Sequence, residues 1–93
     1  MAQIIGRRRK DPESVENFTV DWSDWLAVTD TIASVVWTVG TGLTEEATSN
    51  TTTTATIQLS GGTAGETYTV ECKITTTNGE TDERTFKILC EER

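Results

Sequence analysis

The alternation of apolar and polar residues in residues 67–77 is the feature that most constrains the fold. One face carries Tyr68 and every second residue up to Thr76, whereas the other face carries threonines and charged residues. A period of two over this length is typical of a half-buried β-strand. Asn78 and Gly79 then supply residues that tolerate a positive φ, and a second alternating run follows. The two runs predict a β-hairpin.

The two apolar faces restrict the register of this hairpin. A two-residue loop would place Val70 opposite Lys87 and so mix a buried face with a solvated one. A three-residue loop at residues 77–79, with Gly79 in the left-handed region, places Val70 opposite Phe86. A four-residue loop would also keep the two faces consistent, so both longer loops remain open.

Threonine, stiff at its first side-chain torsion and suited to pleated sheets, accounts for 20 of the 93 residues. Further strands are predicted at residues 18–22, with Phe18, Val20 and Trp22 on one face, and at residues 52–59, with Ala55, Ile57 and Leu59 facing inward. In a strand at residues 31–39, alternation places Val35, Trp37 and Val39 on one face and Ile32 and Val36 on the other. A weak edge strand is predicted at 43–48. Short strands with turn signals every few residues predict an all-β fold. We expect a small immunoglobulin-like β-sandwich of six to seven antiparallel strands, with a small barrel as the alternative.

The charge is unevenly distributed along the chain. Residues 1–10 carry four bases and no acid, whereas residues 11–93 carry four bases and all 15 acids. Residues 1–16 show no periodicity and too little apolar content to join a core. We therefore predict an extended basic N-terminal arm at residues 1–16 and the sandwich at residues 17–93.

This arm is predicted to bind an acidic groove on a neighbouring subunit. A solvated tail is the alternative, since short charge runs are usually solvated. The apolar residues that precede the basic run favour docking, because an idle tail does not need them. The predicted partner-binding residues of the arm are Ile4, Ile5, Arg7, Arg8, Arg9 and Lys10.

The residue types predict no enzyme, no catalytic residue, no metal site and no cofactor. The chain has no histidine, and its acidic pairs lack the spacing of a calcium loop. Cys72 and Cys90 are predicted to be reduced and inward-facing, without a disulfide. At about 3.3 Å per residue, their separation along the hairpin exceeds the roughly 7 Å Cα limit for a bridge.

An acidic body is unsuited to nucleic acid, whose phosphates require a positive surface. No apolar run is long enough to cross a membrane, and no signal-peptide pattern follows the basic run.

Trp22 and Trp37 share apolar faces with their strand neighbours and are predicted to be core residues. Trp25 lies in the irregular segment 23–29 and is predicted to face a partner. A carbohydrate-binding module, which would expose a row of aromatic rings, is the more distant alternative.

Several short segments resemble a family of tailed-phage proteins, the fibre–tail adaptors. They are residues 10–12 (KDP), 18–26 (FTVDWSDWL), 37–39 (WTV), 60–65 (SGGTAG), 68–70 (YTV) and 82–84 (DER). The resemblance implies an immunoglobulin-like virion structural protein without catalytic function, assembled in the host cytoplasm. Its implied partners are other virion structural proteins, of the tail or fibre or else of the capsid, contacted by multiple symmetric copies. A capsid decoration protein is the nearer alternative.

Overall fold

The computed structural model describes residues 3–92, with side chains from residue 6 onward, and within this range the chain forms strands and no helix. Seven strands follow one another along the chain. They are β1 (Gln3–Lys10), β2 (Glu16–Asp21), β3 (Ile32–Val39), β4 (Leu43–Asn50), β5 (Thr54–Gly61), β6 (Thr67–Thr76) and β7 (Thr81–Cys90).

The strands form two sheets, in the orders β1-β7-β6-β3 and β2-β5-β4. The order of β2 to β7 is that of the immunoglobulin sandwich, in which the second, fifth and fourth strands face the seventh, sixth and third. The prediction of a small all-β sandwich is therefore confirmed. One pair departs from the expected antiparallel arrangement, because β1 joins the larger sheet parallel to β7.

The core lies between the two sheets and is built mainly from alternate residues of β2, β5, β6 and β7, with Ile32 of β3. An aromatic cluster occupies its centre, with ring centroids 5.9 Å apart for Phe18 and Phe86 and 6.5 Å apart for Trp37 and Phe86. The completely buried residues of the core include Trp22, Ala55, Ile57, Leu59, Val70, Cys72, Ile74, Ile88 and Cys90. The inward-facing residues predicted for the strands at 18–22 and 52–59 are thus confirmed.

The β6–β7 hairpin has the register of a three-residue loop. Val70 lies opposite Phe86, and the N–H of Thr76 donates to the carbonyl of Glu80 at 2.7 Å. Gly79 has a φ of +91°, the left-handed conformation that such a loop requires. Of the two loop lengths that the sequence left open, the structure has the three-residue one.

Strand β3 differs from a simple alternation. Ile32 was expected on the face opposite to Val35 and Trp37, yet it is buried with the core. The pairing with β6 shifts between Ile32 and Ser34. This bulge adds one residue to β3. Because side chains alternate along a strand, the extra residue turns the side chains that precede it to the opposite face of the sheet.

The predicted arm is extended, but part of it lies in a sheet. Residues 3–10 form β1, an edge strand that pairs with β7, so the sheet begins well before the predicted boundary at residue 17. Edge pairing uses backbone groups on one side only and needs no apolar alternation, which is why residues 1–16 gave no strand signal.

Candidate interaction surface

Strand β1 carries most of the residues predicted to bind a partner. The backbone of Ile4 pairs with Thr85 of β7. The side chains of Ile4 and Ile5, predicted to be apolar anchors, lie outside the described part of the structure. Their role in docking therefore stays a prediction.

Arg7, Arg8 and Arg9 are exposed along the outer edge of β1. The guanidinium of Arg9 forms an ion pair with Glu91, with Nε 3.2 Å from the carboxylate oxygen. The guanidinium of Arg8 donates to the carbonyl of Arg7 at 3.1 Å. We call these three residues the arginine edge. It places three positive charges on one border of a chain whose net charge is −7.

Lys10 is separated from the arginine edge, contrary to the prediction that it binds a partner alongside the arginines. Its side chain is completely buried, and its position pairs with the inward-facing Cys90. The ammonium donates to the carbonyls of Gly61 at 2.8 Å and Asp11 at 2.9 Å. Lys10 therefore ties β1 to the end of β5 in the other sheet and is not available to a partner.

Trp25 lies half-buried in the β2–β3 connection, where it packs edge-to-face on Trp22 with the ring centroids 5.5 Å apart. Trp22 is also covered by the guanidinium of Arg84, whose Cζ lies 4.4 Å from the ring centroid. Arg84 in turn donates two hydrogen bonds to Asp24, at 2.9 and 3.1 Å. This stack holds the connection against the core and leaves part of Trp25 exposed.

The ion pair between Arg84 and Asp24 is unequal in exposure. The side chain of Arg84 is 7% exposed, whereas that of Asp24 is 71% exposed. The hydrogen bond from Arg84 lowers the pKa of the Asp24 carboxyl below its ordinary value of 3.8. Because the arginine is buried between Trp22 and the carboxylate, this pair is a structural element of the loop.

A buried carboxylate that the sequence patterns did not single out joins two loops at one end of the sandwich. Asp30 accepts hydrogen bonds from the backbone N–H groups of Thr31 at 2.9 Å and Asn78 at 3.2 Å. Burial opposes its ionisation, but hydrogen bonds to the charged form outweigh this effect and lower its pKa. The signal available in the sequence was an aspartate directly before a strand, a common position for capping backbone amides.

The remaining polar groups suggest no chemistry. Both cysteines are buried free thiols, and burial raises the pKa of Cys72 to about 11. Within residues 3–92 no cluster of histidine, cysteine and acidic side chains has the arrangement of a metal site. No helix in that part of the chain could cross a membrane. A shallow hollow of about 240 Å³ on the smaller sheet is lined by Asn17, Ala47, Thr48, Ser49, Thr56 and Gln58.

Comparison with known families decides what kind of protein this is. Residues 10–89 match the family described as podophage GP4 fiber-tail adaptor protein gp77. The chain belongs to this fibre–tail adaptor family. The match runs from Lys10, the last residue of β1, to Leu89 near the end of β7, and so covers almost the whole sandwich. None of the curated proteins matches this chain.

Membership in the adaptor family confirms the resemblance seen in the short segments. It makes the protein a structural component of a phage virion that contacts other virion proteins. The arginine edge lies just before the matched residues.

Proposed function

We propose that this protein is a non-enzymatic adaptor that links a fibre to the tail of a podophage virion and is present in several symmetric copies. The observation that carries the proposal is the family match, which covers the sandwich almost from end to end. A compact sandwich with buried thiols supports a role in presenting surfaces to other proteins.

The arginine edge is the part of the surface we assign to docking. Arg7, Arg8 and Arg9 are exposed, and residues 11–93 are strongly acidic. An acidic surface on a neighbouring subunit would complement these charges and fix the orientation of the two proteins. The exposed part of Trp25 is a second proposed contact, because tryptophan supplies large contact area at interfaces.

Charge reversal in the phage tests this function. We expect a phage encoding R7E/R8E/R9E to produce particles that lack the protein, whereas R7K/R8K/R9K, which keeps the charge, should be incorporated normally. Thermal unfolding of both purified variants checks that the sandwich still forms. Incorporation of the glutamate variant at the wild-type copy number would show that the arginine edge has no role in attachment.

The position of the protein in the particle tests the adaptor role directly. We expect a cryo-electron-microscopy map of the virion to show the sandwich between fibre and tail, in copies related by the symmetry of the tail. Density spread over the capsid shell would instead identify a decoration protein. The first result supports the proposal and the second overturns it.

A further inference from the structure

The larger sheet ends in a strand whose second side is unpaired. Strand β3 pairs with β6, and within residues 3–92 no strand lies on its other side. The N–H of Gly40 donates to the carbonyl of Thr69, which sets the alternation of hydrogen bonds along this antiparallel pair. The backbone groups of Val35, Trp37 and Val39 therefore point away from β6. We call this side of β3 the open edge.

Beyond the bulge at the start of β3, the open edge lacks the features that normally keep sheet edges from pairing with other chains. Natural edge strands are protected by charged residues, proline or bulges. The stretch from Ala33 to Val39 contains neither a charge nor a proline, and the side chain of Val36 is 59% exposed. Strand β4, an edge of the smaller sheet, is protected, since it carries Glu45 and Glu46 and a bulge beside them.

The opposite border of the same sheet is β1, whose second side is also unpaired within the described residues. The N–H of Glu91 donates to the carbonyl of Lys10, so Lys10 and Arg8 direct their backbone groups towards β7. The backbone groups of Arg7 and Arg9 point outwards. The guanidinium of Arg8 occupies the carbonyl of Arg7 and would have to move aside for a partner strand.

The strand directions allow these two borders to meet between copies. β1 is parallel to β7, β7 is antiparallel to β6, and β6 is antiparallel to β3. β1 and β3 therefore run in the same direction within one copy. Copies placed side by side by one repeated operation would set β1 of one copy parallel to β3 of the next, which is how β1 already pairs with β7.

The charges on these strands favour pairing β1 of one copy with β3 of another over the symmetric β1–β1 and β3–β3 pairings. Arg8 pairs with the inward-facing Ile88, so it extends from the side of its sheet that faces the smaller sheet. Glu45 pairs with the inward-facing Leu59 and lies on β4, next to β3 at the same border of the sandwich. A β1–β3 contact brings Arg8 of one copy towards Glu45 of the next. Pairing β1 with β1 would juxtapose arginines, and pairing β3 with β3 would bring the glutamates together.

We propose that β1 of one copy adds to the open edge of β3 in a second copy, forming a continuous head-to-tail sheet with Arg8 facing Glu45. Such an interface joins two different surfaces, so it builds a ring where the rotation between copies closes and a filament where it does not. This inference deepens the proposed function, because it names a second copy as the neighbour that receives the arginine edge.

A charge swap tests the proposed contact. We expect sedimentation of the full chain over a concentration series to show association beyond a dimer. R8E and E45R should each weaken this association by about tenfold or more, and R8E/E45R in one chain should restore it. E80R, which makes the same charge change as E45R directly after the distant hairpin loop, should leave association unchanged. Failure of the double variant to recover, or a wild-type chain that stays monomeric throughout, would overturn the proposal.

Blocking the edge provides a second test that does not depend on the salt bridge. V36K adds a positive charge to the face on which Arg7 and Arg9 of the next copy would lie, so it should abolish association, whereas V36T should not. Association that stops at a dimer and survives R8E would indicate symmetric β3 pairing and overturn the proposal. Monomeric wild-type protein whose phage still requires the arginine edge would reject this contact while leaving the adaptor role in place.

Discussion

The ammonium of Lys10 lies 2.8 Å from the carbonyl oxygen of Gly61, and this contact connects the last residue of β1 to the last residue of β5 in the opposite sheet. Lys10 belongs to a basic run in the sequence, but in the fold its side chain connects the two sheets of the sandwich. Its position pairs with Cys90, its side chain is completely buried, and its ammonium donates to two backbone carbonyls.

Replacing Lys10 by methionine should therefore destabilise the sandwich. Methionine retains most of the apolar stem but leaves the part-buried carbonyl of Gly61 without this donor, a loss of about 1–3 kcal/mol. The matched control is Arg7→Met, which removes an exposed charge on the same strand and should change stability by less than about 0.5 kcal/mol. Urea unfolding of both variants measures the difference. Equal effects would contradict the burial of Lys10.

The hairpin register predicts a sharp contrast between two neighbouring residues of β7. Phe86 is 3% exposed and contacts both Phe18 and Trp37, so Phe86→Ala should cost about 3–5 kcal/mol. Lys87 lies on the outer face and donates to the hydroxyl of Thr69. Lys87→Ala should cost less than about 0.5 kcal/mol. Similar losses at the two positions in thermal or urea unfolding would show that the faces of β7 are reversed.

The buried thiol of Cys72 predicts a loss of stability in alkaline solution. Burial raises its pKa from 9.0 to about 11, so between these values the folded chain keeps a proton that the unfolded chain releases. This contribution is complete below pH 9 and declines as the pH rises towards 11. Cys72→Ala should flatten the decline in unfolding free energy over this range. An unchanged slope would mean that Cys72 does not contribute to it.

The ion pair between Asp24 and Arg84 predicts a second pH dependence, on the acid side. The hydrogen bond from Arg84 lowers the pKa of Asp24 from 3.8, so the associated stability is present above that pH and is lost as the pH falls through the folded pKa. Asp24→Asn should reduce stability at neutral pH and remove this part of the acid dependence. Acid titration followed by tryptophan fluorescence, with Asp82→Asn as the control, measures both effects.

The sequence by itself determined the all-β class and the faces of β2, β5 and β6, and it restricted the β6–β7 hairpin to two registers. Each of these depends on local information. Alternation with period two fixes which side chains are inside, and Gly79 fixes how the chain reverses. Residues 18–26 and 60–65 likewise carried enough family-specific pattern for the adaptor resemblance that the match over residues 10–89 confirms.

Only the tertiary structure decided that residues 3–10 form a strand. This strand, β1, forms through backbone hydrogen bonds to β7, which lies more than 70 residues later in the chain. The same pairing divides one basic run into two roles. Positions opposite Lys87 and Leu89 leave Arg7 and Arg9 in solvent, whereas the position opposite Cys90 carries Lys10 into the core. A bulge in β3 similarly brings Ile32 to the inner face. Local composition cannot specify these outcomes, since each depends on which residue of a distant strand lies opposite.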